Sequence, residues 1–277
     1  MLNLNDSIKN LSKKWQLSNI RLLGTVPIFN NYIAIAYSAI YKIDVVLKIL
    51  IADTHEPEVL KFFDGIGCVK LLDYDDKLKS FLLEHIKPGI TLKSLFPLND
   101  ARATSIAAEI IKKLHKANVA IPTKPFKTVN QWLELLGTFQ SNKIPHYLFQ
   151  KAQKLSKELL NSEQKQYVLH GDLHHDNVLQ YDDQWIAIDP KGVIGPLEYE
   201  FGRFIMNPIP DLLKQKNVKE IINNRVNIFS EIFVIEKQRL IDWVFVQAIL
   251  SACWTEENKN EKLFNYFMKL AEIVDDL

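Results

Sequence analysis

The first third of the chain shows the hydrophobic pattern of β-strands. Four segments rich in β-branched and aromatic residues are separated by polar turns such as Asn30-Asn31. A short amphipathic segment between the second and the third of them predicts a helix over residues 56–63, ended by Gly65. The predicted strands cover residues 32–37, 45–51, 69–72 and 80–84.

The pattern becomes helical after the break at Lys87-Pro88-Gly89. Asn99 or Asp100 can cap the first helix of this second part, in which apolar residues recur at helical spacing. A strand-rich island at residues 167–188 interrupts the helical pattern. Further helices are predicted over residues 129–136, 148–160, 218–233, 236–254 and 263–273.

The change from strands to helices predicts an α+β fold with two lobes, residues 1–86 and residues 87–277. A chain of 277 residues is long enough to build both lobes around a substantial core. Its 47% hydrophobic and 24% charged residues are the ordinary balance of a soluble globular protein. Because clefts between lobes are common ligand sites, we expect a site at the junction.

Charge and cysteine content exclude several classes of protein. A formal net charge of +1 gives no reason to expect a nucleic acid or an anionic membrane as partner. The most apolar long stretch, residues 240–254, is too short to span a bilayer and contains Asp242. Cys68 and Cys253 are too far apart in sequence to suggest a zinc ribbon or a disulfide framework. With no signal-peptide pattern at the start, these features predict a cytoplasmic protein.

The strand-rich island carries a cluster of polar residues. It reads YVLHGDLHHDNVL from Tyr167 and, after a polar turn, continues as WIAIDP, in which the aspartate is Asp189. This order of strand, loop, strand, turn and strand would place Asp172 and Asn177 in one loop. The last strand would then deliver Asp189 beside them.

These three side chains suit phosphoryl transfer, in which the protein mainly positions the reactants and neutralises charge. A carboxylate is needed to orient the acceptor hydroxyl and take its proton, and Asp172 fits that role. Magnesium prefers oxygen ligands, which the amide of Asn177 and the carboxylate of Asp189 would supply. As a set, the residues are better explained by this chemistry than by turn formation alone.

The sequence His170-Gly171-Asp172, with Asn177 five residues after the aspartate, resembles the catalytic loop of the aminoglycoside phosphotransferase family, whose members are related to protein kinases. Asp189 is similar to the magnesium-binding aspartate of that family. The longer string over residues 170–208 is similar to the branch of streptomycin 6-kinases and hydroxyurea phosphotransferases. The resemblance implies a bilobal, protein-kinase-like fold, with an antiparallel sheet and one helix in the N-terminal lobe and a larger helical C-terminal lobe.

The same resemblance implies a magnesium-dependent kinase that moves the γ-phosphate of ATP or GTP to a hydroxyl group of a small molecule. The implied acceptor is an aminoglycoside such as streptomycin, as in antibiotic-resistance kinases, while hydroxyurea, a sugar or a choline-like alcohol stays open. A nucleotide-binding pseudoenzyme is a second hypothesis. The presence of Asp172 together with Lys48, Asn177 and Asp189 argues against it, because a binding module needs no base.

The histidines of the island permit another interpretation. His170, His174 and His175 could form a metal hydrolase cluster with neighbouring aspartates, although no HExxH or HxHxDH pattern is present. The resemblance instead implies that His170 belongs to the catalytic loop and braces it. For His174 and His175, a position in the cleft and a solvated position remain open, and His175 is a candidate substrate residue.

On the nucleotide side, the resemblance implies that Lys48 contacts the α- and β-phosphates and pairs with a glutamate on the following helix. Glu56 and Glu58 are the candidates, and Glu56 is favoured by its spacing to Gly65. The segment from Glu84 to Ile86 is similar to the hinge that meets a purine. No GxGxxG is present, so residues 24–36 are interpreted as the hairpin that covers the phosphates.

On the substrate side, the C-terminal segment resembles the corresponding part of the same branch. Carboxylates near the site would suit a polycationic aminoglycoside, but exposed acidic residues are more often a solvated face. Beyond His175, the candidate substrate residues are Glu200, Trp243 and Trp254, with Glu198, Gln247, Glu256 and Glu257 in the same regions.

Overall fold

The computed structural model describes residues 4–23, 31–51, 54–117, 126–161 and 165–277. Its N-terminal lobe contains one antiparallel sheet with the strand order β1-β2-β3-β5-β4. Two helices, α1 and α2, accompany this sheet. The elements of this lobe are α1 (Leu4–Lys14), β1 (Leu17–Leu22), β2 (Tyr32–Ser38), β3 (Ile43–Ile49), α2 (Glu56–Phe63), β4 (Leu71–Asp75) and β5 (Ser80–Glu84).

One face of this sheet forms a small core of its own. Val45, Leu47 and Ile49 alternate along β3 and point into this core. Leu11 and Trp15, at the end of α1 and just after it, cover them from outside. The sequence predicted one helix in this lobe, and α1 is the second. It forms because its apolar stripe has this sheet face to cover, which the polar composition of the segment did not reveal.

The C-terminal lobe is mostly helical. Its strands are short and form two three-stranded sheets, β10-β9-β6 and β7-β11-β8. The helices are α3 (Asp100–Lys116), α4 (Val129–Leu133), α5 (Leu135–Thr138), α6 (His146–Asn161), α7 (Glu198–Ile205), α8 (Val218–Phe233), α9 (Lys237–Glu257) and α10 (Glu261–Asp275). The strands are β6 (Pro88–Thr91), β7 (Lys127–Thr128), β8 (Gln166–Leu169), β9 (Val178–Tyr181), β10 (Gln184–Ala187) and β11 (Val193–Pro196).

Helix α9 runs through the centre of this lobe and is buried on almost every side between residues 243 and 253. It packs on α7 at a point where Gly202 leaves no room for a side chain. A Cβ atom at that position would lie 2.6 Å from the amide group of Gln247 on α9. This close approach fixes α7 beside the loop that follows β8.

The two small sheets position the loops of the site. Strand β8 pairs with β11, so the segments before and after the loop of residues 170–177 are held together. The segment between α2 and β4 is bound to the end of β10, where Val69 donates to the carbonyl of Ala187 (2.8 Å) and Ala187 donates to that of Gly67 (3.0 Å). The N-terminal sheet is thereby anchored next to Asp189.

Most of the predicted elements are confirmed. The helices over residues 56–63 and 218–233 have the predicted bounds, and so does the strand over residues 80–84. The segment predicted as one helix over residues 129–136 is two short helices, α4 and α5. Within the described ranges, every helix is too short or too polar to cross a lipid bilayer.

Candidate active site

Three charged side chains from both lobes meet between the N-terminal sheet and the small strands. Lys48 points from β3, and its Nζ atom lies 2.6 Å from Glu56 Oε2 on α2 and 2.6 Å from Asp189 Oδ1 after β10. Lys48 and Glu56 are buried. The glutamate that pairs with Lys48 is therefore Glu56, as its spacing predicted, and not Glu58.

The electrostatics of this trio keep Lys48 charged. Burial by itself lowers the pKa of Lys48, but the carboxylates of Glu56 and Asp189 more than offset this and raise it above its usual value. Burial raises the pKa of Glu56 to about 7, against the opposing effect of Lys48. For Asp189, burial is outweighed by the ammonium groups of Lys48 and Lys191, which hold its pKa well below the ordinary range.

The loop after β8 is held in shape by His170. The ring is buried, with Nε2 2.9 Å from the carbonyl of Ile188 and Nδ1 accepting from the amide of Asp172 at 3.2 Å. Burial lowers the pKa of His170 to about 4, so the ring is neutral. Gly171 has a φ of +79°, in the left-handed region that glycine adopts without strain. His170 thus braces this loop through its two ring nitrogens.

Asp172 is flanked by two cations that the sequence had not singled out. Arg203 on α7 donates from Nε to Asp172 Oδ1 (2.9 Å), and Lys191 Nζ lies 4.0 Å from Oδ2. Burial alone raises the pKa of Asp172, but Arg203, His174 and Lys191 lower it below its usual value. The carboxylate is therefore ionised at neutral pH, in the form required of a base.

The oxygen atoms near Asp172 fit a divalent cation. Asn177 donates from its amide nitrogen to the carbonyl of Asp172 (3.0 Å), which leaves its side-chain oxygen for a metal. The two carboxylate oxygens of Asp189 are bound by Lys48 and, at 2.8 Å, by Lys191. One amide and one carboxylate, completed by phosphate oxygens and water, are a donor set that magnesium accepts.

Glu200 does not face the substrate cleft, where the sequence analysis expected it. Its buried carboxylate accepts hydrogen bonds from the backbone amides of His170 (2.6 Å) and Gly171 (3.0 Å). The start of α7 therefore supports the backbone of the loop of residues 170–177. Burial raises the pKa of Glu200 to about 7.

His175 and Trp243 are also placed away from the cleft. His175 is fully buried, stacked on Phe204 with ring centroids 4.2 Å apart, and lies 3.8 Å from a carboxylate oxygen of Asp100. That carboxylate is also bound by the buried Arg225 at 2.6 Å. Trp243 is buried in the core, with its ring centroid 5.4 Å from that of Tyr199. Both residues were predicted as substrate contacts. The prediction failed because neighbouring helices pack around them, which the local sequence does not show.

A cavity of about 210 Å³ opens beside Asp172, and the fourth candidate, Trp254, lines it. Trp132 and Tyr199 complete an aromatic wall, in which the Trp132 ring centroid lies 5.8 Å from that of Trp254 and 6.0 Å from that of Tyr199. The remaining lining residues are Gly171, Asp172, Lys191, Arg203, Gln247 and Ser251.

The predicted hinge lies at the end of β5. The Glu84 amide donates to the carbonyl of Lys70 (3.1 Å), and its carboxylate accepts from the hydroxyl of Tyr181. Ile86 is buried close behind it. Of the predicted covering hairpin, residues 24–30 lie outside the described residues, and residues 32–36 lie in β2.

The histidines do not converge on a metal. His170 faces Ile188, His175 faces Asp100, and His174 accepts from the amide of Asp176 through Nδ1 (3.3 Å). In the part of the chain that the structure describes, no three His, Cys, Asp or Glu side chains are grouped to hold a metal ion. The geometry therefore gives no support to the metal hydrolase alternative.

Lys191 and Arg203 are the charged residues of the site that sequence reasoning missed, although both lie in the string that carried the resemblance. Lys191 could have been found because it follows Asp189 by two residues, in the same loop. Arg203 follows Glu200 by three residues, a spacing that places both on one face of a helix. That signal was available only if residues 198–205 had been predicted as a helix.

The chain is similar in sequence to known kinases and phosphotransferases. The chain is 25% identical to streptomycin 6-kinase of Streptomyces glaucescens over 227 residues, which cover 77% of this chain and 70% of that protein. It is also 25% identical to hydroxyurea phosphotransferase of Kitasatospora aureofaciens over 237 residues, covering 82% of this chain and 67% of that protein.

Solved structures share the fold. An aminoglycoside phosphotransferase crystallised as a ternary complex with ADP and hygromycin B superposes with a TM-score of 0.71 at 12% identity, covering 96% of this chain and 97% of that one. The model of the family described as aminoglycoside/hydroxyurea antibiotic resistance kinase matches residues 39–259, which include Lys48, Asp172 and Asp189. The chain therefore belongs to this family of small-molecule kinases.

Proposed function

We propose that this protein is a magnesium-dependent phosphotransferase that moves the γ-phosphate of ATP, or of GTP, to a hydroxyl group of a small molecule. The observation that supports this most is the meeting of Lys48, Glu56 and Asp189 across the two lobes, with Asp172 in the adjacent loop. A charged lysine held by a helix glutamate is the arrangement that kinases use to hold the phosphates of a nucleotide.

Each residue then has a defined role. Lys48 binds the α- and β-phosphates, and the hinge from Glu84 to Ile86 receives the purine. Asp172 orients the acceptor hydroxyl and takes its proton. Asn177 and Asp189 would hold magnesium, which would supply positive charge to neutralise the phosphates.

The names of the relatives suggest two kinds of acceptor. An aminoglycoside such as streptomycin is the first, and hydroxyurea is the second. The proposed donor is available in the cytoplasm, which is the compartment we propose for the activity.

The test is direct. The purified protein is incubated with magnesium and either ATP or GTP, and nucleoside diphosphate release is measured with and without streptomycin or hydroxyurea. Phosphorylated acceptor is identified by ³¹P NMR. Acceptor-dependent release that is lost on chelation of magnesium supports the proposal. A folded protein that neither binds nucleotide nor phosphorylates any acceptor contradicts it.

A further inference from the structure

The charges that line the cavity beside Asp172 are unusual for a site that receives a polycation. Among the described lining residues, Lys191 and Arg203 are positive, and Asp172 is the one carboxylate. That carboxylate is already bound by Arg203 at 2.9 Å. Lys191 is paired in turn with Asp189 at 2.8 Å, so a cationic acceptor would meet no unpaired carboxylate in this part of the wall.

Two buried carboxylates nearby are also engaged. Glu198 is bound by Arg239 at 2.6 Å, and Glu200 accepts from two backbone amides of the catalytic loop. Glu256 accepts through Oε1 from the hydroxyl of Ser141 at 2.7 Å, while its buried Oε2 has no hydrogen-bond partner among the described residues. To bind a polycation, Glu198 and Glu200 would have to give up these partners, which is costly.

The remaining wall suits a compact, uncharged molecule. Trp132, Tyr199 and Trp254 offer flat apolar surfaces. Gln247 is fixed by donating to the carbonyl of Tyr199 (2.6 Å), and Ser251 supplies a hydroxyl group. The volume of about 210 Å³ is below the roughly 300 Å³ at which pockets for drug-sized ligands begin.

We propose that the acceptor is a compact hydroxyl compound without a positive charge, and that Arg203 disfavours cationic acceptors because its guanidinium group neutralises the carboxylate of Asp172. This inference rests on the proposed phosphotransferase function and specifies its substrate class. Arg203 has two effects in this account, because the guanidinium group both orients Asp172 and sets the charge of the cavity.

The experiment compares acceptors that differ in charge. One pair is hydroxyurea, which is uncharged, and streptomycin, which carries two guanidinium groups. The second pair is 3,3-dimethylbutan-1-ol and choline, which have the same shape and differ by one positive charge. Acceptor-dependent ATP turnover is measured for each compound. Binding to the protein with magnesium and ADP is measured independently by quenching of tryptophan fluorescence.

The variants are Arg203→Leu, which removes the charge, and Arg203→Lys, which keeps it. Arg102→Leu, at an exposed position on α3 outside this cavity, is the matched control. We expect the native protein to prefer the uncharged member of each pair by about tenfold or more, and Arg203→Leu to reduce that preference to near unity. Arg203→Lys and Arg102→Leu are expected to retain it.

Three results overturn the inference: preference for the cationic members, preference that Arg203→Leu leaves unchanged, or absence of binding by all four compounds. These results differ from failure of the proposed function. If that function is wrong, the protein transfers phosphate to no acceptor, and the binding measurement still decides whether the cavity discriminates by charge. If only the inference is wrong, phosphate transfer is observed and favours a cation or ignores Arg203.

Discussion

The ammonium group of Lys48 lies 2.6 Å from a carboxylate oxygen of Asp189, although the two residues are 141 positions apart in the chain. This ion pair joins the N-terminal sheet to the segment that follows β10. A nucleotide with its magnesium ion would separate the two groups, with the phosphates binding Lys48 and the metal binding Asp189. The pair thus joins the two lobes at the place where we propose that the nucleotide binds.

Replacing Lys48 tests the nucleotide side. Lys48→Met should raise the Kd for ATP by about 10- to 100-fold, because a charge-assisted hydrogen bond to a phosphate is lost. The measurement is titration calorimetry with ATP and magnesium. Lys61→Met, on the same lobe and in contact with the ring of Tyr74, serves as the control and should leave the Kd unchanged. Unchanged ATP affinity in folded Lys48→Met would show that the phosphates bind elsewhere.

Removal of a metal ligand should change the response to magnesium. Asp189→Ala should abolish magnesium-dependent turnover, since the cation loses its carboxylate anchor. Asn177→Ala should impair turnover similarly or less, because it removes a neutral oxygen. Turnover is measured as a function of magnesium concentration for both variants. Full activity in either of them would mean that the proposed ligand is wrong.

The support of the catalytic loop should depend on pH through Glu200. The ionised carboxylate accepts from two amides, and protonation would turn one oxygen into a donor that faces them. Because burial raises the pKa of Glu200 to about 7, kcat should fall as the pH drops below that value. Asp172 does not explain this fall of kcat at acidic pH, because its pKa is lowered. The Glu200→Gln variant should have low activity at every pH, and its kcat should no longer decrease below pH 7.

The pKa of Glu56 is also raised to about 7, so Glu56→Gln is the comparison. If the decrease in kcat at acidic pH persists in Glu200→Gln and disappears in Glu56→Gln, the titrating group is Glu56. The free energy of unfolding should depend on pH in the opposite direction to kcat. A folded-state pKa above the unfolded value means that raising the pH through 7 costs folding stability while it restores activity.

A buried histidine far from the proposed chemistry should lower stability in acid. His115 stacks on Tyr167 with ring centroids 4.4 Å apart, and burial lowers its pKa to about 4. The unfolded chain therefore takes up a proton that the folded one resists, and stability is lost as the pH falls below about 6.5. His115→Phe keeps the stacking and should remove roughly 1 to 2 kcal/mol of the loss between pH 8 and pH 5.

Urea unfolding of the native protein and of His115→Phe at the two pH values provides the measurement. His115→Gln, which is polar and does not titrate, is a second variant that separates the charge from the packing. An equal loss of stability in the native protein and in both variants would show that His115 does not resist protonation in the folded state.

Local sequence predicted the parts of the site that lie on regular elements or in a loop with a strong pattern. Lys48 sits on an apolar strand, Glu56 begins a well-marked helix, and Asp172 and Asp189 flank two short strands joined by a turn. Each of these positions follows from periodicity and turn signals together with the resemblance of the loop to a known family.

The substrate side could not be predicted in the same way. Whether Glu200, His175 or Trp243 faces a cleft depends on how α7, α8 and α9 pack, and packing involves residues far apart in sequence. Arg225, for example, reaches Asp100 across 125 positions and buries the region around His175. The contact between Arg203 and Asp172 likewise depends on the position of α7 and could not be predicted from the local sequence. Tertiary contacts of this kind leave no local signal.

The most direct test of the account is the effect of Asp172→Asn on kcat and on nucleotide affinity, measured in one preparation with a melting curve to verify folding. The substitution keeps the shape of the side chain and removes the base. The account predicts that kcat falls by about 10² to 10⁴-fold while the Kd for ATP changes little, because Lys48 and the hinge hold the nucleotide. A well-folded Asp172→Asn protein with near-normal kcat on its acceptor would contradict it.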